Sequence, residues 1–413
     1  MVENELNLKK QYQELIRQIN EHNDYYYNED APKITDFEYD QLTQELLEIE
    51  RVHPEWIKVS SPSQKVGGKA KRQAGVLVPH QVPMLSLQDA FSKEAVVDFV
   101  NDMKKQLNNP EFVVERKIDG LSMSLRYEKG VLVQATTRGD GTFFGEDVTL
   151  NAKVIQGMVT KFEAEIEKLE VRCEVYMTEE SFQKVNERQE LLEKKLFANP
   201  RNCAAGTLRQ LDFQITKERN LNIFVFNIQQ FQGIDIESHT QGYELLVKLG
   251  FPIIEEFEVC QSAQEVWEAI ERIGEDRGSF GYNIDGAVVK INSYEQREQL
   301  GATSKVPRWA VAYKYPPEEK ETVLLDIICS VGRTGRITPT AVFEPIHLCG
   351  TTVARATLHN QDFMDELDIR IGDTIVVYKS GDIIPKVKEV IKEKRSVDSQ
   401  PFFLPKFCPA CGE

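Results

Sequence analysis

Glu115-Arg116-Lys117-Ile118-Asp119-Gly120 is the stretch on which the reading of this chain turns. A short apolar run, Phe112-Val113-Val114, leads into it. After it the residues alternate, with Leu121, Met123, Leu125 and Tyr127 interleaved by Ser122, Ser124 and Arg126. A period of two marks a half-buried strand. The pattern predicts extended chain over Val113–Tyr127, with Lys117 where one segment ends and the next begins. A lysine held on such a base can be desolvated, lose its proton near neutral pH and act as a nucleophile. Taken alone, Lys-x-Asp-Gly is better explained as a solvated turn lysine, so the rest of the chain has to decide.

Composition narrows the classes. A chain of 413 residues with 41% hydrophobic content holds several cores. No apolar run approaches the roughly 18–20 residues of a membrane span. Met1 to Lys10 is polar, so a cytoplasmic protein without membrane contact is expected. Cys173, Cys203, Cys260, Cys329 and Cys349 stand singly, as reduced structural cysteines do. The net charge of −16 argues against wholesale coating of nucleic acid but leaves room for a local basic groove.

The expected architecture is α+β and multidomain. Residues 1–70 form a helical unit, with apolar spacing at Leu8, Tyr12, Leu15, Ile16 and Ile19 and again at Leu42, Leu46, Leu47 and Ile49. This unit carries 14 acidic and 8 basic residues, a poor match for phosphate backbones. A Ser/Pro/Gly-rich hinge follows over Ser60–Gly68. Residues 71–317 mix strands and helices without a regular βαβ rhythm, which predicts antiparallel sheets. Helices are expected at Lys93–Leu107, Glu179–Leu192 and Ala263–Ile273. Residues 318–404 read as five short strands with glycine turns, a small barrel of the oligonucleotide-binding (OB) type. Residues 405–413 end the sequence with Cys408-Pro-Ala-Cys411.

Three further segments bear chemistry. On Glu170–Tyr176, Arg172, Glu174 and Tyr176 share one face, as they also would on a plain solvated strand. Asp285-Gly286-Ala287-Val288-Val289-Lys290 ends an apolar strand in a lysine. On Trp309–Tyr315, Lys314 shares a face with Ala310 and Ala312, which leaves room for a ligand. Snorkelling strand-end lysines are the bland alternative. Together, Lys117, Lys290 and Lys314 with Asp119 and Glu174 suit attack of an amine on a nucleotide α-phosphate. Neighbouring cations lower a lysine pKa and neutralise phosphate, and carboxylates can hold Mg²⁺.

In this order, the motifs resemble the covalent nucleotidyltransferases, and within them the NAD⁺-dependent DNA ligases. The specific likeness lies in Asp36-Phe37-Glu38-Tyr39-Asp40, Val82-Pro83-Met84-Leu85-Ser86-Leu87, Thr137-Arg138-Gly139-Asp140-Gly141 and Phe197-Ala198-Asn199-Pro200-Arg201-Asn202. It continues in Val331-Gly332-Arg333-Thr334-Gly335, Thr357-Leu358-His359-Asn360 and Gly381-Asp382-Ile383-Ile384-Pro385, so it runs through essentially the whole chain.

The resemblance implies that Lys117 becomes AMP-linked and that Glu115 reads the adenine amino group. It implies that Asp119 and Glu174 bind ribose or help place Mg²⁺ (or Mn²⁺), and that Lys290 and Lys314 contact the α-phosphate. Arg138 would bind the ribose side of the adenylate, Ser86 and Leu87 would line the adenosine pocket, and Arg201 would meet the 5′-phosphate of a nick. Tyr26, Tyr27, Asp36, Tyr39 and Asp40 would bind nicotinamide mononucleotide (NMN), aromatic faces and carboxylates suiting a cationic ring. Packing tyrosines and N-cap aspartates explain these residues without a ligand.

Nicked duplex DNA would be gripped through Arg209, Arg333, Thr334 and Lys379, with Ile383 and Ile384 as wedges or barrel core. The expected reaction is NAD⁺-dependent sealing of nicks in replication and repair, by a monomer. The alternative is an adenylation-competent fragment or a non-catalytic nick-binding remnant. Cys408 and Cys411 supply half of a four-cysteine Zn²⁺ site, so zinc is expected only with a second cysteine pair.

Overall fold

In a computed structural model of the chain, residues 2–23, 25, 33–34, 36–57, 61–64, 76–139, 141, 143–194, 196–197, 199–316, 319–331, 337–348, 351–380, 384–395 and 399–405 are described. The chain divides into two units, Met1–Asp276 with Phe280–Tyr315, and Arg277–Ser279 with Pro316–Glu413.

The first unit opens with helices α1 (Val2–Asn23) and α2 (Asp36–Val52). Tyr12, Leu15 and Ile19 fall on one helical face and pack on Leu46 and Ile49. The strands and helices that follow are β1 (Leu77–Pro79), β2 (Gln88–Ala90), α3 (Lys93–Gln106), β3 (Phe112–Ile118), β4 (Leu121–Glu128), β5 (Val131–Thr137) and β6 (Phe144–Glu146). Then come α4 (Thr149–Ala152), β7 (Lys168–Tyr176), α5 (Glu179–Leu191), α6 (Pro200–Leu208), α7 (Phe213–Glu218), β8 (Asn222–Gln232) and α8 (His239–Lys248). The unit closes with β9 (Glu258–Cys260), α9 (Ala263–Asp276), β10 (Ile284–Ile291), α10 (Tyr294–Leu300) and β11 (Ala310–Lys314).

Two sheets result. The five-stranded one has order β2-β11-β10-β3-β9, and the four-stranded one β5-β4-β7-β8. Pairing is antiparallel throughout except between β11 and β2. Alternation assigns the faces. In the five-stranded sheet Phe112, Val114, Ala287, Val289, Val311 and Tyr313 pack against α3 and α9. α9 presents Val266, Ala269 and Ile270 to that core, at the spacing of one helical face. In the four-stranded sheet Met123, Leu125, Tyr127, Val171, Cys173 and Val175 are fully buried under α6 and α8. Burying each such large side chain stabilises by about 1.5–3 kcal/mol. The opposite faces carry Glu115, Lys117, Lys290 and Lys314 on one sheet, among the small or apolar Val288, Ala310 and Ala312, and Ser122, Arg172 and Glu174 on the other.

Helices α6 and α8 do not stand out in the sequence. Nearly all of α6 is buried, so it has no polar stripe to betray it. Its start does carry a local signal, because Asn199 caps it by accepting from Asn202 N–H and Pro200 occupies the first turn. Ser238 caps α8 in the same way through Gln241 N–H.

The second unit contains β12 (Glu319–Val331), β13 (Ile337–Leu348), β14 (Thr351–Thr357), α11 (Gln361–Leu367), β15 (Thr374–Ser380) and β16 (Ile384–Val390). The strands close in the order β12-β13-β14-β16-β15 around Leu324, Phe343, Ala356, Ile375, Val377 and Val387. Closure leaves no edge strand unpaired. This is the expected OB-type barrel, with α11 as an addition that sequence periodicity does not reveal. No described helix is long and apolar enough to cross a membrane.

Candidate active site

Strand register brings the separated motifs together. Lys117 of β3 lies opposite Gly286 of β10, and Gly286 lies opposite Lys314 of β11. Two residues along each strand, Glu115 pairs with Val288 and Val288 with Ala312. Lys290 follows on the same face, opposite Ala310. The two Asp-Gly glycines have steric causes. A Cβ on Gly286 would lie 2.0 Å from the Tyr313 carbonyl oxygen. One on Gly120 would lie 2.4 Å from the Val175 oxygen and 2.9 Å from Glu174 Cγ.

A chain of alternating charges crosses this floor. Lys117 Nζ donates to both oxygens of Asp285, at 2.9 and 2.7 Å. Lys314 Nζ lies 3.3 Å from Asp285 Oδ2 and 3.1 Å from Asp40 Oδ2 on α2. Burial pushes the Asp285 carboxyl up, but Lys117, Lys314 and Arg201 outweigh it and hold the group below the ordinary carboxylate range. Arg201 on α6 donates to Asp119 at 3.0 Å. Glu174 on β7 accepts from Ser122 Oγ at 2.7 Å, and burial pushes its carboxyl up to about 7.

The deep end is organised around Glu115, only 1% exposed. Its Oε2 accepts from Tyr243 Oη at 2.6 Å and faces His239 Nε2 at 3.3 Å. Its Oε1 accepts from Lys290 Nζ, which also donates to the Phe226 carbonyl at 2.8 Å. Burial would raise the Glu115 carboxyl, yet Lys290 and His239 hold it below its usual value. Burial takes Lys290 downward, with Glu115 opposing, and takes His239 down to about 3.

These groups line a cavity of about 1100 Å³. Its far wall is the segment Val82–Leu87, fixed by Arg138 Nη2 donating to Ser86 Oγ at 2.6 Å and by Arg172 donating to the Pro83 carbonyl. Among the described residues Arg138 Nε and Arg172 Nε are buried donors without a hydrogen-bond partner, so this wall can accept anionic or polar acceptor groups. At the mouth stand Asn20, Asn23, Tyr39, Asp40 and Thr43 of the helical pair, with Tyr39 Oη donating to Asn23 at 2.9 Å.

Of the residues singled out in the sequence, Lys117, Glu174, Lys290, Lys314, Arg201, Glu115, Arg138, Ser86, Leu87, Tyr39 and Asp40 therefore share one cavity, and Asp119 joins it through Arg201. Lys290 engages Glu115 rather than standing beside Lys117. Arg209 caps α6, donates to the Ala205 carbonyl at 3.3 Å and is not a wall of this cavity. In the barrel, Lys379 is 5% exposed. Tyr26, Tyr27, Arg333, Thr334, Ile383, Cys408 and Cys411 lie outside the described residues. Asp36 lies in α2 and Ile384 in β16, with side chains outside the description.

Sequence reasoning passes over Asp285, His239, Tyr243, Phe226 and Arg172 as site residues. Asp285 has a signal, the Asp-Gly that opens the apolar run ending in Lys290. His239 and Tyr243 have none, since helical residues become part of the site only through packing.

Among the described residues no three His, Cys, Asp or Glu side chains converge as a metal cage. The donor set fits a sparser Mg²⁺ site, with one or two carboxylates completed by substrate phosphate oxygens. Cys408 and Cys411, the spaced cysteine pair of the sequence, lie outside the described residues.

Comparison with known proteins gives a consistent picture. Residues 75–318 match the family model described as NAD-dependent DNA ligase adenylation domain. Residues 321–399 match the NAD-dependent DNA ligase OB-fold domain, and residues 5–67 the DNA ligase-like, N-terminal NAD+-binding domain. A protein named DNA ligase from Clostridium kluyveri is 50% identical over 407 residues, covering 98% of this chain and 61% of that protein. Its namesake from Acetivibrio thermocellus is 50% identical, with 98% and 61% covered. The one from Clostridioides difficile is 49% identical, with 99% and 60% covered. The chain thus spans about three fifths of the length of the relatives it matches.

Proposed function

This chain belongs to the NAD-dependent DNA ligase family, and from that premise we propose that it takes AMP from NAD⁺ onto Lys117 and delivers it to the 5′-phosphate of nicked duplex DNA. The observation that carries the reading is the Asp40–Lys314–Asp285–Lys117 chain of ion pairs. It joins the helical pair to the lysine, so a dinucleotide spanning both can be held across one charge array.

In the first step the Lys117 ammonium passes its proton to solvent, and the amine so formed attacks the α-phosphorus. An N–P bond forms, the pyrophosphate P–O bond breaks and NMN departs toward Tyr39 and Asp40. The adenine lies at the deep end against Glu115, and the acceptor it offers suits an exocyclic amino group. Lys314 neutralises charge on the phosphoryl oxygens, while Arg138 and Ser86 hold the ribose side. Positioning and charge neutralisation supply most of the rate in such transfers. Asp119 and Glu174 are the carboxylates that would hold Mg²⁺ (or Mn²⁺), which when bound stabilises charge on the transferring phosphoryl group.

In the second step the nick 5′-phosphate, met by Arg201, attacks the Lys117 adenylate. In the third the 3′-hydroxyl attacks the DNA adenylate, sealing the strand and releasing AMP. The chemistry suits replication and repair in the cytoplasm by a monomer. Since the chain spans about three fifths of its relatives, adenylation without efficient sealing is the second reading.

Incubation with NAD⁺ followed by intact-mass and peptide mass spectrometry tests the first step. An AMP adduct on Lys117, absent from Lys117→Ala, is expected. An adduct formed from ATP and not from NAD⁺ would overturn the cofactor, and no adduct from either would leave only the binding remnant.

A further inference from the structure

The surroundings of Glu115 go further than its own role. A carboxylate offers about four lone-pair sites. Three of its neighbours are donors: Lys290 on Oε1, and Tyr243 and His239 on Oε2. Among the described residues His239 Nδ1 has no hydrogen-bond partner and His239 is 1% exposed, which assigns the ring proton to Nε2, where it can be donated to the carboxylate. Tyr243 has one proton and two acceptors, Glu115 Oε2 at 2.6 Å and the Phe226 carbonyl at 3.2 Å, and the shorter, charge-assisted bond takes it. Both donors come from α8. Glu115 itself borders the cavity. With Oε2 taken by α8, the lone pair left over is on Oε1.

We propose that His239 and Tyr243 are positioning residues that set base selectivity. By donating to Oε2 they lock Glu115 as an ionised, acceptor-only group, so a purine with an exocyclic amino donor is accepted and one with a carbonyl at that position is refused. This inference rests on the proposed transfer from a dinucleotide to Lys117. Depression of the His239 pKa by burial is consistent with it, since a neutral ring donates one proton and no more.

The test measures kcat/KM for Lys117 adduct formation by the full chain with NAD⁺ and with nicotinamide hypoxanthine dinucleotide, which replaces the amino group by a carbonyl. The unsubstituted chain should favour NAD⁺. Tyr243→Phe and His239→Leu should each reduce that preference about tenfold or more, because a freed carboxylate can rotate or carry a proton and then donate. His239→Gln, which restores an N–H near the Nε2 position, should keep the preference within about threefold. The ratio is taken within one preparation, so the fraction of folded protein cancels. Should Tyr243→Phe not fold, the two His239 variants decide alone. Variants slowed on both substrates with unchanged ratios would overturn the positioning role. Absence of any adduct on the unsubstituted chain would instead sink the underlying reaction.

Discussion

Asp40 of α2 reaches Lys314 of β11 across 3.1 Å, and both side chains are largely buried, at 12% and 15% exposure. A residue from the start of the chain thereby touches the strand that floors the catalytic lysine. Removing the carboxylate should cost the NMN half of the substrate its anchor and leave Lys314 with less opposing charge. Asp40→Ala is expected to slow Lys117 adenylation by NAD⁺ about a hundredfold, roughly 2–3 kcal/mol. Sealing of a pre-adenylated nick, measured in parallel, should change little. Equal losses in both reactions would contradict the assigned role.

Asp285 is the counter-ion of two lysines. Asp285→Asn keeps the shape and removes the charge, leaving Lys117 and Lys314 facing a neutral amide. We expect a stability loss of about 1–3 kcal/mol in urea titration, the cost of one under-compensated charge. Adduct formation should fall at least about a hundredfold, since both the nucleophile and the phosphate-binding cation lose their placement.

Glu174 gives a pH signature. Its folded carboxyl is raised to about 7 by burial, from an ordinary value of 4.5. Between these values the folded state holds a proton that the unfolded chain has released. This group therefore lowers stability as pH rises through that window, by about 3 kcal/mol in all. Glu174→Gln removes the titration. The variant should gain stability relative to the unsubstituted chain between pH 5 and about pH 7. Parallel urea midpoints across that range would refute the shift.

Gly286 allows Lys117 and Lys314 to share a row. A methyl group there would drive into the Tyr313 carbonyl, backbone that cannot swing away. Gly286→Ala is expected to destabilise by about 1–3 kcal/mol and to separate β10 from β11. Adduct formation should drop more than melting temperature alone would explain. Gly301→Ala is a useful contrast for the steric argument, because a Cβ there meets nothing within 4 Å, although its positive φ adds local strain.

Much of this architecture is legible in the order of residues alone. The alternation Leu121–Tyr127 predicts one buried face, and Met123, Leu125 and Tyr127 are indeed fully buried. The spacing Tyr12, Leu15, Ile19 predicts the seam on which α1 meets α2. Five strand patterns after residue 318 predict the barrel. Such features are local, written in side-chain period and turn chemistry. The missed helices show the limit, since the nearly fully buried α6 has no amphipathic stripe to detect.

What the sequence determined by itself is therefore the set of elements and the residue types able to do phosphoryl chemistry. What only the tertiary structure decided is who stands beside whom. Asp285 faces Lys117 because the antiparallel β10–β3 ladder shifts register between Ile284 and Gly286, which releases Asp285 from the alternation that sends Ala287 and Val289 into the core. His239 and Tyr243 reach Glu115 because α8 packs behind β8, a contact between residues more than a hundred positions apart. Pairings of this kind are set by packing and strand register, and no local pattern encodes them.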